Sequence, residues 1–415
     1  MRRLFHTALV LLSILLASCS AGKVFTPSAS SIPTNPAAST ASPTPVNTTT
    51  PIPTIPPTPT NSPTPIIPPT PTFTSTPLPV GLSRQNPYPR TELVSAPNME
   101  VRVLDFKRGQ DALNLLQTVY GKYYPLAPAG MEYGLVRLHV KLTAPGQKGL
   151  YISEADFSIT GDRSIKYSSG SNFGAVGPNP KLIKKLSTGE EVEGWIGSLV
   201  FAGENNLMLV VNDNINYENT ALRYIALDDG ASVGVSPDLA NIKPTSLGLT
   251  KDDPAPRTTG IITQDWNISV IDVVRGDEAW TMIREVNQYN NPPDEGMDYI
   301  AVKIRARYIG TEDYGTYISN NSFGIIGINY ELNRQPQVVP PEPELEYWLY
   351  PGGEIEGWAV YQVAKGETGI RLVFNPDSRF EKIDSSCMLV ISWVKDLNDP
   401  DLQLISPHLR FFSLE

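Results

Sequence analysis

From residue 94 onward the chain alternates apolar and polar positions in short runs. Val136, Leu138, Val140 and Leu142 are interleaved with Arg137, His139 and Lys141. A period of two puts the first set on one face of a strand and the second on the other. Glu100 to Asp105 alternates in the same way. After Arg108 and Gly109 the period lengthens. Ala112, Leu113 and Leu116 fit one or two helical turns with a single apolar side. Pro and Gly then close that segment, and further short strand-like runs follow.

The whole pattern occurs twice. Leu186-Ser-Thr-Gly-Glu-Glu-Val-Glu-Gly-Trp195 returns as Leu349-Tyr-Pro-Gly-Gly-Glu-Ile-Glu-Gly-Trp358. The offset of 163 (358 − 195) persists from Asn212 to Asn375. Arg108-Gly109 recurs as Arg275-Gly276, and Ala279, Trp280 and Ile283 take the helical positions. Leu222 to Leu227 matches Leu409 to Leu414 at an offset of 187, so the second copy carries 24 extra residues (187 − 163). About seven short strands per copy, with turn signals at steady spacing, predict a two-sheet sandwich. The first sandwich is placed at 94–228 and the second at 264–415. Residues 229–263 are read as an inter-domain linker, long enough to allow relative freedom.

The N-terminal fifth has a different composition. From Ala21 to Arg90 lie 19 of the 39 prolines, mixed with Thr and Ser, and no charge occurs between Lys23 and Arg84. Such a stretch cannot bury enough apolar surface to offset its ordering entropy. Residues 19–90 are read as a disordered, semi-stiff Pro/Thr/Ser-rich linker, reaching on the order of 150–190 Å if fully extended. Ahead of it, Arg2 and Arg3 precede the apolar run Ala8 to Leu16, the order of an export signal over 1–18. Leu16-Ala17-Ser18-Cys19 then resembles the lipobox of bacterial lipoproteins. That resemblance implies a diacylglycerol thioether on Cys19, cleavage before it and acylation, palmitate included, of the new terminus. Two or more acyl chains hold a protein stably on a bilayer. The expected address is the extracytoplasmic face of the cell membrane, lipid-anchored.

Charge and reactive side chains narrow the function by exclusion. A formal charge of −10 argues against a nucleic-acid partner, which needs clustered Lys and Arg. The histidines are His6, His139 and His408, and none adjoins a Gly-x-Ser-x-Gly turn. Cys387 sits alone in an apolar run and reads as a buried small hydrophobe. Two separated His and one Cys do not make a zinc site. Asp396, Asn398, Asp399 and Asp401 lack the Gly and twelfth-position Glu of a calcium-binding loop. The acids Glu190, Glu191, Glu193, Glu354 and Glu356 read as a solvated strand face. No catalysis, cofactor or metal is expected.

Residues shared by the copies are assigned to the fold. Trp195 and Trp358, each after Gly194 or Gly357, are expected to anchor cores. Arg108 and Arg275 are expected to form a structural ion pair in each domain, with Glu193 and Glu356 available. Divergent loops are where a ligand is read. They are 168–180, with Asn172 and Phe173, and 333–343, with Arg334 and Gln335. Tyr120, Tyr123, Tyr124, Tyr289 and Asn290 add groups of a kind used for glycans.

The strand, Arg-Gly turn, Gly-x-x-Tyr strand and late Gly-Trp hairpin resemble the telokin-like, immunoglobulin-like domain of many bacterial lipoproteins. The resemblance spans most of residues 95–415 as two copies and implies an all-β immunoglobulin-like sandwich for each. The expected function is a membrane-anchored lipoprotein whose sandwiches bind an extracellular protein or glycan. A purely architectural envelope module is the alternative, with a hydrolase a distant third.

Overall fold

The computed structural model describes residues 79–169, 173–213, 222–311, 314–327, 332–333, 336–376, 381–383, 391–393 and 408–415. Cys19, Asn172, Arg334, Gln335, Cys387 and the run from Asp396 to Asp401 lie outside them. Phe73–Glu415 forms one compact unit.

The fold is all-β, two sandwiches in tandem. The first opens with β1 (Val94–Ser95), β2 (Met99–Arg108), helix α1 (Gly109–Tyr120) and β3 (Met131–Leu142). Then come β4 (Leu150–Ser153), β5 (Phe157–Thr160), β6 (Gly174–Ala175) and β7 (Ile183–Leu186). It closes with β8 (Glu191–Phe201), β9 (Met208–Asn212) and β10 (Leu222–Ala226). One sheet runs β1-β2-β3-β8-β6, the other β10-β9-β5, and β4 pairs with β7.

The second sandwich repeats this order. It has β11 (Ile261–Ile262), β12 (Trp266–Arg275), α2 (Asp277–Val286), β13 (Met297–Tyr308), β14 (Thr316–Ser319) and β15 (Phe323–Ile326). β16 (Leu332–Asn333), β17 (Glu346–Leu349), β18 (Glu354–Ala364) and β19 (Arg371–Phe374) follow. The 24 additional residues contribute the pair β20 (Glu381–Ile383) and β21 (Ile391–Trp393) before β22 (Arg410–Ser413). The sheets run β11-β12-β13-β18 and β16-β15-β19-β22.

The alternation read from the sequence sets the core. Val136, Leu138, Val140 and Leu142 are fully buried between the sheets with Phe157, Leu209 and Val211. The opposite face of β3 and β8 is split along its length. Toward one end α1 lays Ala112, Leu113 and Leu116 on Tyr133, Leu135 and Trp195. Toward the other, Arg137, His139 and Lys141 stand opposite Trp195, Glu193 and Glu191. Copy two does the same: Ala279 and Ile283 of α2 cover Tyr299, Ala301, Trp358 and Val360. Trp195 and Trp358 are therefore buried anchors, each 8% exposed, but beneath the helix and not between the sheets. The helical insert closes a second, smaller core on the outside of the sheet.

The C-terminal half of the predicted linker, from residue 247, is part of the second repeat. Val80-Gly-Leu-Ser-Arg-Gln-Asn-Pro-Tyr-Pro-Arg-Thr91 matches Leu247-Gly-Leu-Thr-Lys-Asp-Asp-Pro-Ala-Pro-Arg-Thr258 at an offset of 167 (247 − 80). Both segments strap the last strand of their own sandwich. Tyr88 bridges Ile225 of β10 and Ala255 bridges Phe412 of β22, each in parallel. The Gly81 carbonyl accepts from the Tyr224 N–H, and the Gly248 carbonyl from the Phe411 N–H. The first sandwich therefore starts near residue 80 and not 94, and the second near 247 and not 264. Composition misleads here, because each segment loops back on one residue of the last strand, Gly81 and Tyr88 on Tyr224 and Gly248 and Ala255 on Phe411, and leaves only isolated bridges.

Candidate functional site

Most of the residues repeated between the copies serve the fold. Arg108 pairs with Glu132 at 2.5 Å and Asp228 at 3.5 Å, and Arg275 pairs with Asp298 at 3.8 Å. Each arginine also donates to a carbonyl in the turn after β8 or β18, Arg108 to Glu204 at 2.7 Å and Arg275 to Glu367 at 2.5 Å. The ion pairs exist, but their partners are not the glutamates named from the sequence. Glu193 instead meets Arg137 at 3.0 Å, and Glu356 meets Arg305 at 2.6 Å and Lys303 at 3.1 Å. Strand register explains the difference. Arg108 lies opposite Gly134, two residues from Glu132, while Glu193 lies opposite His139 further along the sheet.

Gly109 and Gly276 take φ of 57° and 69° at the strand-to-helix turn, a region that favours glycine. Gly194 and Gly357 are required by close approach. A Cβ on Gly357 would lie 2.7 Å from the Leu345 backbone, and one on Gly194 would strike the Leu182 backbone. In both copies that crossing chain makes a parallel bridge to the tryptophan, Lys181 to Trp195 and Glu344 to Trp358.

The loop expectation is corrected at Phe173, which is 5% exposed. Its ring packs on Tyr167 at 4.8 Å, Phe201 at 6.1 Å and Tyr347 of the second sandwich at 5.7 Å. An aromatic so enclosed cannot read a ligand. Asn290 is likewise structural: its amide donates to the Ile283 and Val339 carbonyls. Tyr124 stacks on Tyr120 and leans on Tyr133. Tyr123 and Tyr289 remain in solvent, 87% and 83% exposed.

The two sandwiches meet along a seam. Ser164 to Lys166 of the first runs beside Trp348 to Tyr350 of the second. The Lys166 N–H donates to the Trp348 carbonyl at 2.9 Å and the Tyr350 N–H to the Ser164 carbonyl at 2.8 Å. Arg84, 2% exposed, bolts the join. It donates to the Ser164 hydroxyl at 2.7 Å and the Pro351 carbonyl at 3.2 Å, and lies 4.7 Å over the Tyr350 ring. Asp238, in the segment between the two sandwiches, makes a 2.8 Å contact with Arg307 of the second. The positions in copy one that match Tyr347, Trp348 and Tyr350 are Lys184, Lys185 and Ser187. One copy is thus apolar where it docks and the other hydrophilic at the same strand. The freedom expected between the domains is replaced by a buried contact.

Beside this seam is a cleft of about 250 Å³. Its floor is the outer face of the β10-β9-β5 sheet, with Ser158, Val210, Asn212 and Leu222. Tyr314, Trp348 and Tyr350 of the second sandwich face them, and Lys166 stands between. The Lys166 ammonium lies 4.9 Å from the centre of the Trp348 ring. Burial lowers its pKa, and no carboxylate among the described residues offsets that effect. Tyr317 packs beside Trp348 at 5.3 Å and donates to Glu346 at 2.9 Å. No cluster of His, Cys, Asp or Glu that would hold a metal occurs among the described residues. Nor is any helix among them long and apolar enough to cross a membrane. Sequence reasoning missed this cleft, because its walls come from both copies.

A second buried polar pair lies in the first sandwich. Glu204 is 2% exposed. It accepts a hydrogen bond from the Tyr167 hydroxyl and one from the Arg163 N–H at 3.2 Å. Burial pushes its pKa from 4.5 up to about 7, and burial beside Glu204 raises that of Tyr167.

No family model matches the chain, and no curated protein does. Among solved structures it is similar to the yjhA protein from Bacillus subtilis. The identity is 14%, over 39% of this chain and 99% of that one, with a TM-score of 0.25.

Proposed function

We propose that this is a lipid-anchored extracytoplasmic protein that presents a two-sandwich head for binding an extracellular glycan or protein. The anchor rests on Cys19 behind an apolar run and two arginines. The reach rests on the proline-rich segment that follows. The telokin-like resemblance supports the same reading, since such domains are carried by many bacterial lipoproteins. The observation that carries binding is the seam cleft, where Lys166 and three aromatic side chains from the other sandwich converge. Ligand sites favour such junctions between domains.

Two experiments test this. Cys19→Ser is expected to move the protein from the membrane fraction to the soluble fraction, and unchanged fractionation would remove the anchor. A glycan array and a pull-down with the whole chain are expected to show capture that is lost in Trp348→Ala. A purely architectural role is favoured by one observation, that the repeated residues serve core and ion pairs. Capture absent from both assays would leave that role in place.

A further inference from the structure

Resting on the reading of the cleft as the ligand site, we propose that it takes a sugar bearing a carboxylate, a uronic acid, with Lys166 as counter-ion. Three features carry this.

The first is the lysine itself. Lys166 is half-buried, and an ammonium partly withdrawn from water is costly unless a carboxylate answers it. Arg137, Lys303 and Arg305 on the outer sheet faces each have an acidic partner. Lys166 has the Trp348 ring and no carboxylate among the described residues. A ring partly compensates a cation, and less than a carboxylate does. A ligand carboxylate would complete the pairing.

The second is the floor. It is the face of a sheet whose backbone groups are engaged in the β5–β9 and β9–β10 ladders. A peptide cannot add there as a strand, which needs an open edge. Recognition falls to the lining side chains, among them Ser158, Asn212 and Tyr314. Hydroxyl and amide groups beside an aromatic wall suit a ring of hydroxyls.

The third is size. About 250 Å³ lies below the range of drug-sized ligands and suits one sugar ring or the end of a chain.

The test uses the whole chain, trigalacturonate, its methyl ester and triglutamate, followed by calorimetry and by tryptophan fluorescence. Esterification keeps the shape and removes the charge. Trigalacturonate is expected to bind at least tenfold more tightly than the ester. Lys166→Met is expected to abolish that difference and Lys166→Arg to restore part of it. Denaturation of Lys166→Met at or above the wild-type midpoint would show that the loss is not misfolding. Equal binding of acid and ester would overturn the assignment of Lys166 and leave the cleft as a neutral ligand site. Binding of triglutamate but not the sugar would overturn the sugar class. Binding of none of the three would overturn this proposal, while capture on the array that depends on Trp348 would still support the broader reading.

Discussion

Glu204 offers a direct check on the physical account of the first sandwich. Its carboxyl is enclosed, held by the Tyr167 hydroxyl and the Arg163 N–H, and titrates at about 7 in place of 4.5. The folded state therefore binds this proton more tightly than the unfolded state. The resulting stability is fully present below the unfolded value of 4.5 and is lost as pH rises through about 7. Linkage between those two values gives a loss of about 2.5 kcal/mol from pH 5 to pH 8, and about 3 kcal/mol once titration is complete. Glu204→Gln keeps the shape and an acceptor for the tyrosine but cannot ionise. Urea unfolding of wild type and variant should be followed by fluorescence at pH 5, 6, 7 and 8. The wild type is expected to lose stability relative to the variant by about 2.5 kcal/mol across that range, most steeply between pH 5 and 7. Parallel pH profiles would refute the claim that this carboxyl is desolvated. A profile falling in the opposite direction would mean that the carboxylate is held by a charge in the fold.

Two further perturbations address the seam and the crossing strand. Arg84→Ala removes two hydrogen bonds and the contact with Tyr350. It is expected to cost about 3 kcal/mol and to split one unfolding transition into two in calorimetry, and an unchanged transition would count against the bolt. Gly194→Ala forces a methyl group against the Leu182 backbone and is expected to cost about 1–3 kcal/mol. Gly234→Ala, with open space around it, is the control and should be neutral by thermal denaturation.

The alternation in Val136 to Leu142 made β3 legible because a sheet with one face on a core enforces a period of two. The 163-residue offset made the second sandwich legible from the first. What stayed hidden came from contacts between distant segments. Lys166 and Trp348 are 182 positions apart and belong to different copies, so no local pattern joins them. Glu132 is not legible as the partner of Arg108 because Glu193 lies on the shared hairpin, and only strand register separates the two. Phe173 misleads because its loop diverges between copies, while its ring packs on Tyr347 of the other sandwich. The match between 80–91 and 247–258 was present in the sequence. Its first member abuts the proline-rich run and shares its composition.

The strap has a mechanical consequence. Residues 81–88 close a loop on β10, with Gly81 and Tyr88 both bonded to Tyr224, and Arg84 within that loop is pinned between both sandwiches. Traction arriving from the N-terminal side would meet the bonds of Gly81 and Tyr88 and the contacts of Arg84 before it reached the strands that begin at Val94. The head would yield first at this clasp, ahead of the long ladders of β2, β3 and β8.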